Sequence, residues 1–223
     1  MQMDTPQHAV APLSKEQIRA LPAFENLASD KIIVIQTLEQ CLALQDQLSS
    51  IQVFGFDSES KPTFKVGEKS TGPHVIQLAT YDTVFLFQVS AEILSFLKPI
   101  LENEQQLKVG FGLKNDAHIF RGKDIQPTSL IELSKSFASF GYRSQVGVQT
   151  AIALLFQRYF AKSKKISTSN WALKRLSPQQ LSYAAADAYA ALLVFEQLYQ
   201  QHRFTPQLQQ QIMKILEGST DKA

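Results

Sequence analysis

Ser177-Pro178-Gln179-Gln180-Leu181-Ser182-Tyr183-Ala184-Ala185-Ala186-Asp187-Ala188-Tyr189-Ala190-Ala191-Leu192-Leu193 is the stretch around which the rest of the chain is organised. Its start carries helix signals in the right order. Ser177 suits the cap, Pro178 the first helical position, and Gln180 completes a capping box with Ser177. The alanines and leucines that follow favour helix strongly. Within this helix Tyr183 and Asp187 stand four residues apart, and therefore share one face. Asp is a poor choice for a helix interior, and its alanine surroundings offer it no partner.

Three acids upstream give that aspartate company. Phe54-Gly55-Phe56-Asp57-Ser58-Glu59 ends an apolar run, and if the strand continues, Asp57 and Glu59 point to the same side of a sheet. Two like charges side by side repel unless a cation lies between them. Asp116 sits in Val109-Gly110-Phe111-Gly112-Leu113-Lys114-Asn115-Asp116, where a short strand passes into a helix. Alone it reads as an ordinary helix-start acid. Gly110 and Gly112 lack the third glycine of a dinucleotide fingerprint. Taken together, Asp57, Glu59, Asp116 and Asp187 supply hard oxygen ligands for two divalent ions, Mg²⁺ or Mn²⁺, and no Cys/His cluster points to zinc. Two such ions about 3.5–4 Å apart suit in-line attack on a phosphodiester.

Composition is compatible with this chemistry without demanding it. The chain has 223 residues, 44% hydrophobic and 19% charged, enough for one full core and short for two domains. The formal net charge of +2 neither announces nor excludes a nucleic-acid partner. The single cysteine, Cys41, excludes an internal disulfide framework and fits a reducing compartment. No run approaches the roughly 18 apolar residues of a membrane span. The first residues lack the basic head and apolar core of a signal peptide, so a cytoplasmic location is expected.

Outward from the central helix, the pattern predicts strands at 32–35 and 51–57, with a helix between them over 37–48 on a Leu38, Leu42, Leu44, Leu48 stripe. A hairpin follows at 75–80 and 84–88. Helices are expected at 91–101 and 113–120, with strands at 108–110 and 125–133. Further helices are read near 134–140, 146–156 and 206–216. The expected organisation is an N-terminal arm with a short helix over 1–30, an α/β domain over 31–217 and a frayed tail over 218–223. Strands first, then alternation, then helices predict a mixed central sheet with helices packed on it.

The motifs, in this order, resemble the DEDDy branch of the 3′–5′ exonucleases, the group that includes ribonuclease D and the exonuclease domain of the Werner helicase. Phe56-Asp57-Ser58-Glu59 is similar to the first family motif, Val109 through Asp116 to the second, and Tyr183 through Asp187 to the third. Ser169-Asn170-Trp171 followed by Leu176-Ser177 resembles the family's approach to the last helix, and the likeness spans about Ile32 to Tyr199. The resemblance implies a ribonuclease H-like fold and metal-dependent release of nucleoside 5′-monophosphates from a 3′ end. It also implies that the four acids hold two Mg²⁺ or Mn²⁺ ions and that Tyr183 orients the attacking water. The sequence departs from the family at Lys174, where many relatives carry arginine, and at Arg175, where proline is common. A lysine meets phosphate as a point charge rather than a fork.

Substrate contacts are read mainly from composition. Phe64 among Lys61, Lys65 and Lys69 is a mixture that suits single-stranded nucleic acid, and it equally describes a solvated lysine loop. The resemblance adds Lys174 to these candidates. Lys162, Lys164 and Lys165 read as a solvated run able to steer substrate, Trp171 as core beneath the central helix, and His74 and His118 as uncommitted. Two other readings remain open at this point: a silent nucleic-acid-binding module, and a two-carboxylate glycosidase that would leave two acids unused.

Overall fold

The computed structural model describes residues 13–63, 67 and 71–218. A short helix α1 (Lys15–Arg19) precedes strand β1 (Ile32–Ile35), and two short helices follow, α2 (Leu38–Ala43) and α3 (Gln45–Ser50). Strand β2 (Val53–Glu59) leads to the hairpin β3 (Val75–Ala79) and β4 (Val84–Gln88). Then come α4 (Ala91–Leu101), β5 (Leu107–Gly110), α5 (Leu113–Arg121) and β6 (Leu130–Glu132). The chain continues through α6 (Val148–Phe156), α7 (Lys164–Ser167), α8 (Pro178–Gln200) and α9 (Pro206–Glu217).

The six strands form one mixed sheet in the order β1-β4-β3-β2-β5-β6. β2 lies inside it, antiparallel to β3 and parallel to β5. Period-two alternation splits β2 between two layers. Phe54 and Phe56 face a core shared with Ile76, Leu78, Phe85, Phe87, Ile93 and Leu97. Gly55, Asp57 and Glu59 take the opposite face, toward α8.

α8 is the long element of the fold, and its start is capped as its sequence predicts. The Ser177 hydroxyl accepts from the Gln180 backbone N–H at 3.2 Å, and Gln180 Oε1 accepts from the Ser177 N–H at 3.0 Å. The Gln180 amide also donates to Ser169 Oγ and to the Asn170 carbonyl, which ties the approach segment to the helix. The alanines then explain the packing. Ala184, Ala185, Ala188, Ala190 and Ala191 are buried, so the helix axis can come close to the sheet. Closest approach falls at Gly55, where an added Cβ would lie 2.0 Å from the Ala188 carbonyl oxygen.

Three local expectations are corrected. The helix over 37–48 is two helices that meet at Leu44, whose backbone (φ −102°, ψ 0°) leaves helical geometry. Of its predicted stripe, Leu48 is buried and Leu38 and Leu44 pack against the same core, while Leu42 is 54% exposed and Cys41 is buried in its place. The strand over 125–133 shrinks to Leu130–Glu132. Asp124 and Ser129 adopt positive φ on either side of Pro127, which has no N–H to give a ladder. The helix over 134–140 is a pair of 3₁₀ turns, Leu133–Lys135 and Ala138–Phe140. On β5, Lys108 is fully buried with its ammonium donating to the Asn103 and Ile100 carbonyls at the end of α4. Burial pushes its pKa down to about 7.

Candidate active site

β2 and α8 each deliver one half of a carboxylate cluster. β2 keeps its ladder to β3 as far as Glu59, so Asp57 and Glu59 project together toward α8, two residues beyond the Gly55 contact. Asp187 lies one residue before Ala188, the residue that Gly55 touches. The seam therefore closes at Gly55 and opens into the acids. One carboxylate oxygen from each of Asp57, Glu59 and Asp187 lies within 4.8 Å of the others.

Asp116 approaches from a third element. Gly112, at φ +77°, turns the chain from β5 into α5, and Asp116 sits in the first turn that follows, 8% exposed. The Ser58 hydroxyl, between the two β2 acids, donates a short hydrogen bond to Asp116 Oδ1. Asp116 is thus tethered beside the other three and is not one of the mutually close set. Glu132, at the end of β6, accepts from the Gly112 and Leu113 N–H groups and holds the start of α5 in place.

Crowding leaves its mark on every group. Burial raises the Asp57 carboxyl well above the usual range, and Asp187, Asp116 and Glu59 raise it further. Burial and then Asp187 push Glu59 up to about 8. Burial also raises Asp187, against the opposing pull of Lys162. Asp116 is raised by burial, while the Ser58 hydrogen bond works the other way. Tyr183, one turn before Asp187, has its ionisation pushed up by burial, then by Asp187 and Glu59. Its ring lies 6.1 Å from that of Trp171, which is fully buried with its indole N–H on the Ser167 carbonyl at 3.1 Å.

The donor set fits hard divalent cations. The three carboxylates are close and repelling; Asp57 and Glu59 are partly exposed, and Asp187 is buried against the Tyr183 hydroxyl and the Lys162 ammonium. Gln77, opposite Asp57 on β3, is likewise buried with both amide atoms unsatisfied. Buried polar atoms of this kind are costly unless something polar meets them. All-oxygen ligation suits Mg²⁺, Mn²⁺ or Ca²⁺ rather than softer ions.

Beside this geometry stands a sequence match. A family model described as 3′–5′ exonuclease covers residues 32–203. The chain belongs to this family. Over 157 residues it is 31% identical to the bifunctional 3′-5′ exonuclease/ATP-dependent helicase WRN of Mus musculus, a span of 68% of this chain and 11% of that protein. Among solved structures, the Nibbler EXO domain of Aedes aegypti superposes with a TM-score of 0.67 at 22% identity, covering 80% of this chain and 92% of that one. The Trypanosoma brucei RNase D complex with RNA U12 gives 0.65 at 17% identity, covering 82% and 64%. These last two show the fold, which is ribonuclease H-like. The chain spans only about a tenth of the length of the mouse protein.

Within this exonuclease-family domain the remaining candidates scatter. Phe64 and Lys65, with Lys69, lie outside the described residues. Lys61 is half-buried, its backbone N–H on His74 Nδ1 at 3.0 Å. Burial, then the Lys61 and Lys123 charges, lowers the pKa of His74. Lys174 is exposed and lines a groove of about 430 Å³ with Gln36, His74, Gln88 and Trp171, apart from the acids. His118 is exposed on α5. One residue read as solvated belongs to the site instead: the Lys162 ammonium lies 3.3 Å from Asp187 Oδ1. Only its charge, in a segment shared with Lys164 and Lys165, marks it in the sequence, and a charge alone does not say which way a loop folds.

Proposed function

We propose that this domain is a metal-dependent 3′–5′ exonuclease that removes nucleoside 5′-monophosphates from the 3′ end of single-stranded nucleic acid. The observation that carries the reading is the convergence of Asp57, Glu59 and Asp187 within 4.8 Å, on a chain of the 3′–5′ exonuclease family. Asp57, Glu59 and Asp187, with Asp116 alongside, would hold two ions, Mg²⁺ or Mn²⁺. Such ions supply positive charge that makes water acidic enough to attack at neutral pH and that stabilises the leaving oxygen.

The protein groups do the positioning. Tyr183 keeps its proton, because burial and two carboxylates oppose its ionisation. It therefore serves as a hydrogen-bonding guide for the attacking water rather than as a base. Trp171 backs its ring and restricts its swing. Ser58 fixes the Asp116 carboxylate, and Glu132 fixes the start of the helix that carries it. In the reaction a water oxygen bonds to the terminal phosphorus and the bond to the preceding 3′ oxygen breaks. The products are a nucleoside 5′-monophosphate and a strand one residue shorter with a new 3′-hydroxyl. The RNase D structure with RNA supports RNA as one substrate class to test first.

The test is incubation of pure protein and Mn²⁺ with 5′-labelled single-stranded DNA and RNA of equal length. Single-nucleotide ladders that vanish with EDTA are expected on at least one strand type, with circular strands resistant. Absence of cleavage on both would favour a silent binding module. Rapid cutting of circles would make the enzyme an endonuclease and defeat the reading.

A further inference from the structure

Lys162 has no place in the machinery described above, yet it is the cation closest to that machinery among the described residues. It lies in the irregular segment between the Ala23–Tyr159 bridge and α7, not on β2, α5 or α8. Its ammonium stands 3.3 Å from Asp187 Oδ1 and 6.0 Å from the centre of the Tyr183 ring. The two partners differ sharply in exposure: the Asp187 side chain is 4% exposed and the Lys162 side chain 40%. The carboxylate is fixed in the seam, whereas the lysine reaches it from an open flank. On that flank Lys162 also lines a groove of about 450 Å³ with Phe111, Gly112, Gln145 and Gln149, so the side chain has room to leave.

Charge makes the two possible occupants exclusive. Three carboxylates this close repel one another, and without a divalent ion the Lys162 ammonium offsets part of that charge at Asp187. A divalent ion at Asp187 would repel an ammonium a few ångströms away twice as strongly as one unit charge repels another. A lysine is also the right residue for a reversible partner, as a point charge on a flexible stem that forms no fork with the carboxylate. We propose that Lys162 is the resident counter-ion of Asp187 and that it exchanges with the divalent ion, the ammonium moving off Asp187 into the adjoining groove as the ion arrives. Lys162 is then a positioning residue that holds the seam together before loading and competes with the ion during it. This rests on the divalent-ion reading of the acids.

The experiment pairs wild-type chemistry with two variants. Wild-type protein is titrated with Mn²⁺ by calorimetry, and amine acylation at Lys162 is followed by mass spectrometry, with Lys164 and Lys165 as internal standards. Acylation of Lys162 relative to those two should rise severalfold at saturating Mn²⁺. Lys162→Gln should bind Mn²⁺ about two- to fivefold more tightly, since a partly exposed ion pair opposes loading by roughly that factor. It should also unfold at lower temperature without metal and gain more from Mn²⁺ than wild type, while Lys162→Arg keeps the wild-type affinity or weakens it. If Lys162→Gln folds only with Mn²⁺ present, that supports the exchange as well. If wild type takes up Mn²⁺ with Lys162 acylation unchanged, or Lys162→Gln binds Mn²⁺ no better, the exchange is wrong and the divalent site stands. If wild type takes up no Mn²⁺ at all, both fall.

Discussion

Gly55→Ala tests the link between the fold and the site most directly. The new Cβ would lie 2.0 Å from the Ala188 carbonyl oxygen, 3.0 Å from its carbonyl carbon and 2.9 Å from Leu192 Cβ. The obstacle is helix backbone, which cannot rotate away as a side chain can. Comfortable contact between non-bonded heavy atoms begins near about 3.5 Å, so β2 and α8 must separate by roughly an ångström or more. Overpacking in cores costs about 1–3 kcal/mol, and a backbone clash belongs at the upper end. For a domain of this size that is a fall in Tm of about 6–12 °C. The functional cost should be of similar size. Asp57 is two residues from Gly55 and Asp187 is next to Ala188, so the displacement lands between the metal-ligand candidates of the two elements. A misplacement of about 1 Å can cost on the order of 10²-fold in rate. Calorimetric unfolding, Mn²⁺ titration and single-turnover cleavage would be measured on the same preparation well below the lowered Tm. A variant with parental Tm and parental Mn²⁺ affinity would refute the reasoning, because the seam would then not be set by this contact.

The other predictions concern charge and protons. Asp187→Asn should lose Mn²⁺ affinity together with cleavage, whereas Tyr183→Phe should bind Mn²⁺ normally and cleave about 10²–10⁴-fold more slowly; calorimetry with single-turnover kinetics separates the two, and a fully active Tyr183→Phe would reduce the tyrosine to packing. Glu59 is raised from 4.5 to about 8 in the folded protein, so its contribution is fully present below about pH 4.5 and lost as pH rises through about 8. The metal-free Tm should therefore decline across that window, and Glu59→Gln or saturating Mn²⁺ should flatten the decline. Lys108 has the opposite sign: its pKa falls from 10.5 unfolded to about 7 folded, so the unfolded chain binds the extra proton between those values and stability gains with alkalinity over that range. Lys108→Met should remove that gain in urea melts between pH 7 and 10, and an unchanged slope would mean the buried ammonium keeps its ordinary acidity.

The elements legible in the sequence are those whose signals are local. The capping box at Ser177, the β-branched run at Ile32 and the hairpin around Asp82 each carry their own boundaries, and each falls within two residues of its predicted start. Where tertiary packing decides, the sequence misleads. Nothing within 37–48 announces the break at Leu44. At 125–133 the miss is local instead, since Pro127 stands in the sequence as a breaker that the predicted strand overruns. The pairing of Asp57 with Glu59 needs only the strand period, and Asp187 with Tyr183 only the helix period. Bringing those two pairs together rests on the chemistry the acids share as metal ligands and on the family resemblance, since no local rule relates a strand to a helix so far along the chain.

Lys162 marks the limit of that kind of inference in physical terms. A periodic element constrains where its side chains point, so the acids on β2 and α8 declare their faces through the strand and helix periods alone. An irregular segment imposes no such constraint, and its charged residues look alike in the sequence even when one of them is drawn against the acids and its neighbours are not. Electrostatics makes the selection: four clustered carboxylates, two of them buried, create a strong local demand for positive charge, and a flexible cation beside them answers it. The same demand governs what a divalent ion does to the fold. An ion that binds only the assembled seam adds RT ln(1 + [ion]/Kd) to stability, and it does so by relieving repulsion that the metal-free protein meets with proton uptake and with Lys162. Metal binding, acid pH and the lysine are therefore three answers to one excess of negative charge, and strengthening any one of them should weaken the measurable effect of the other two.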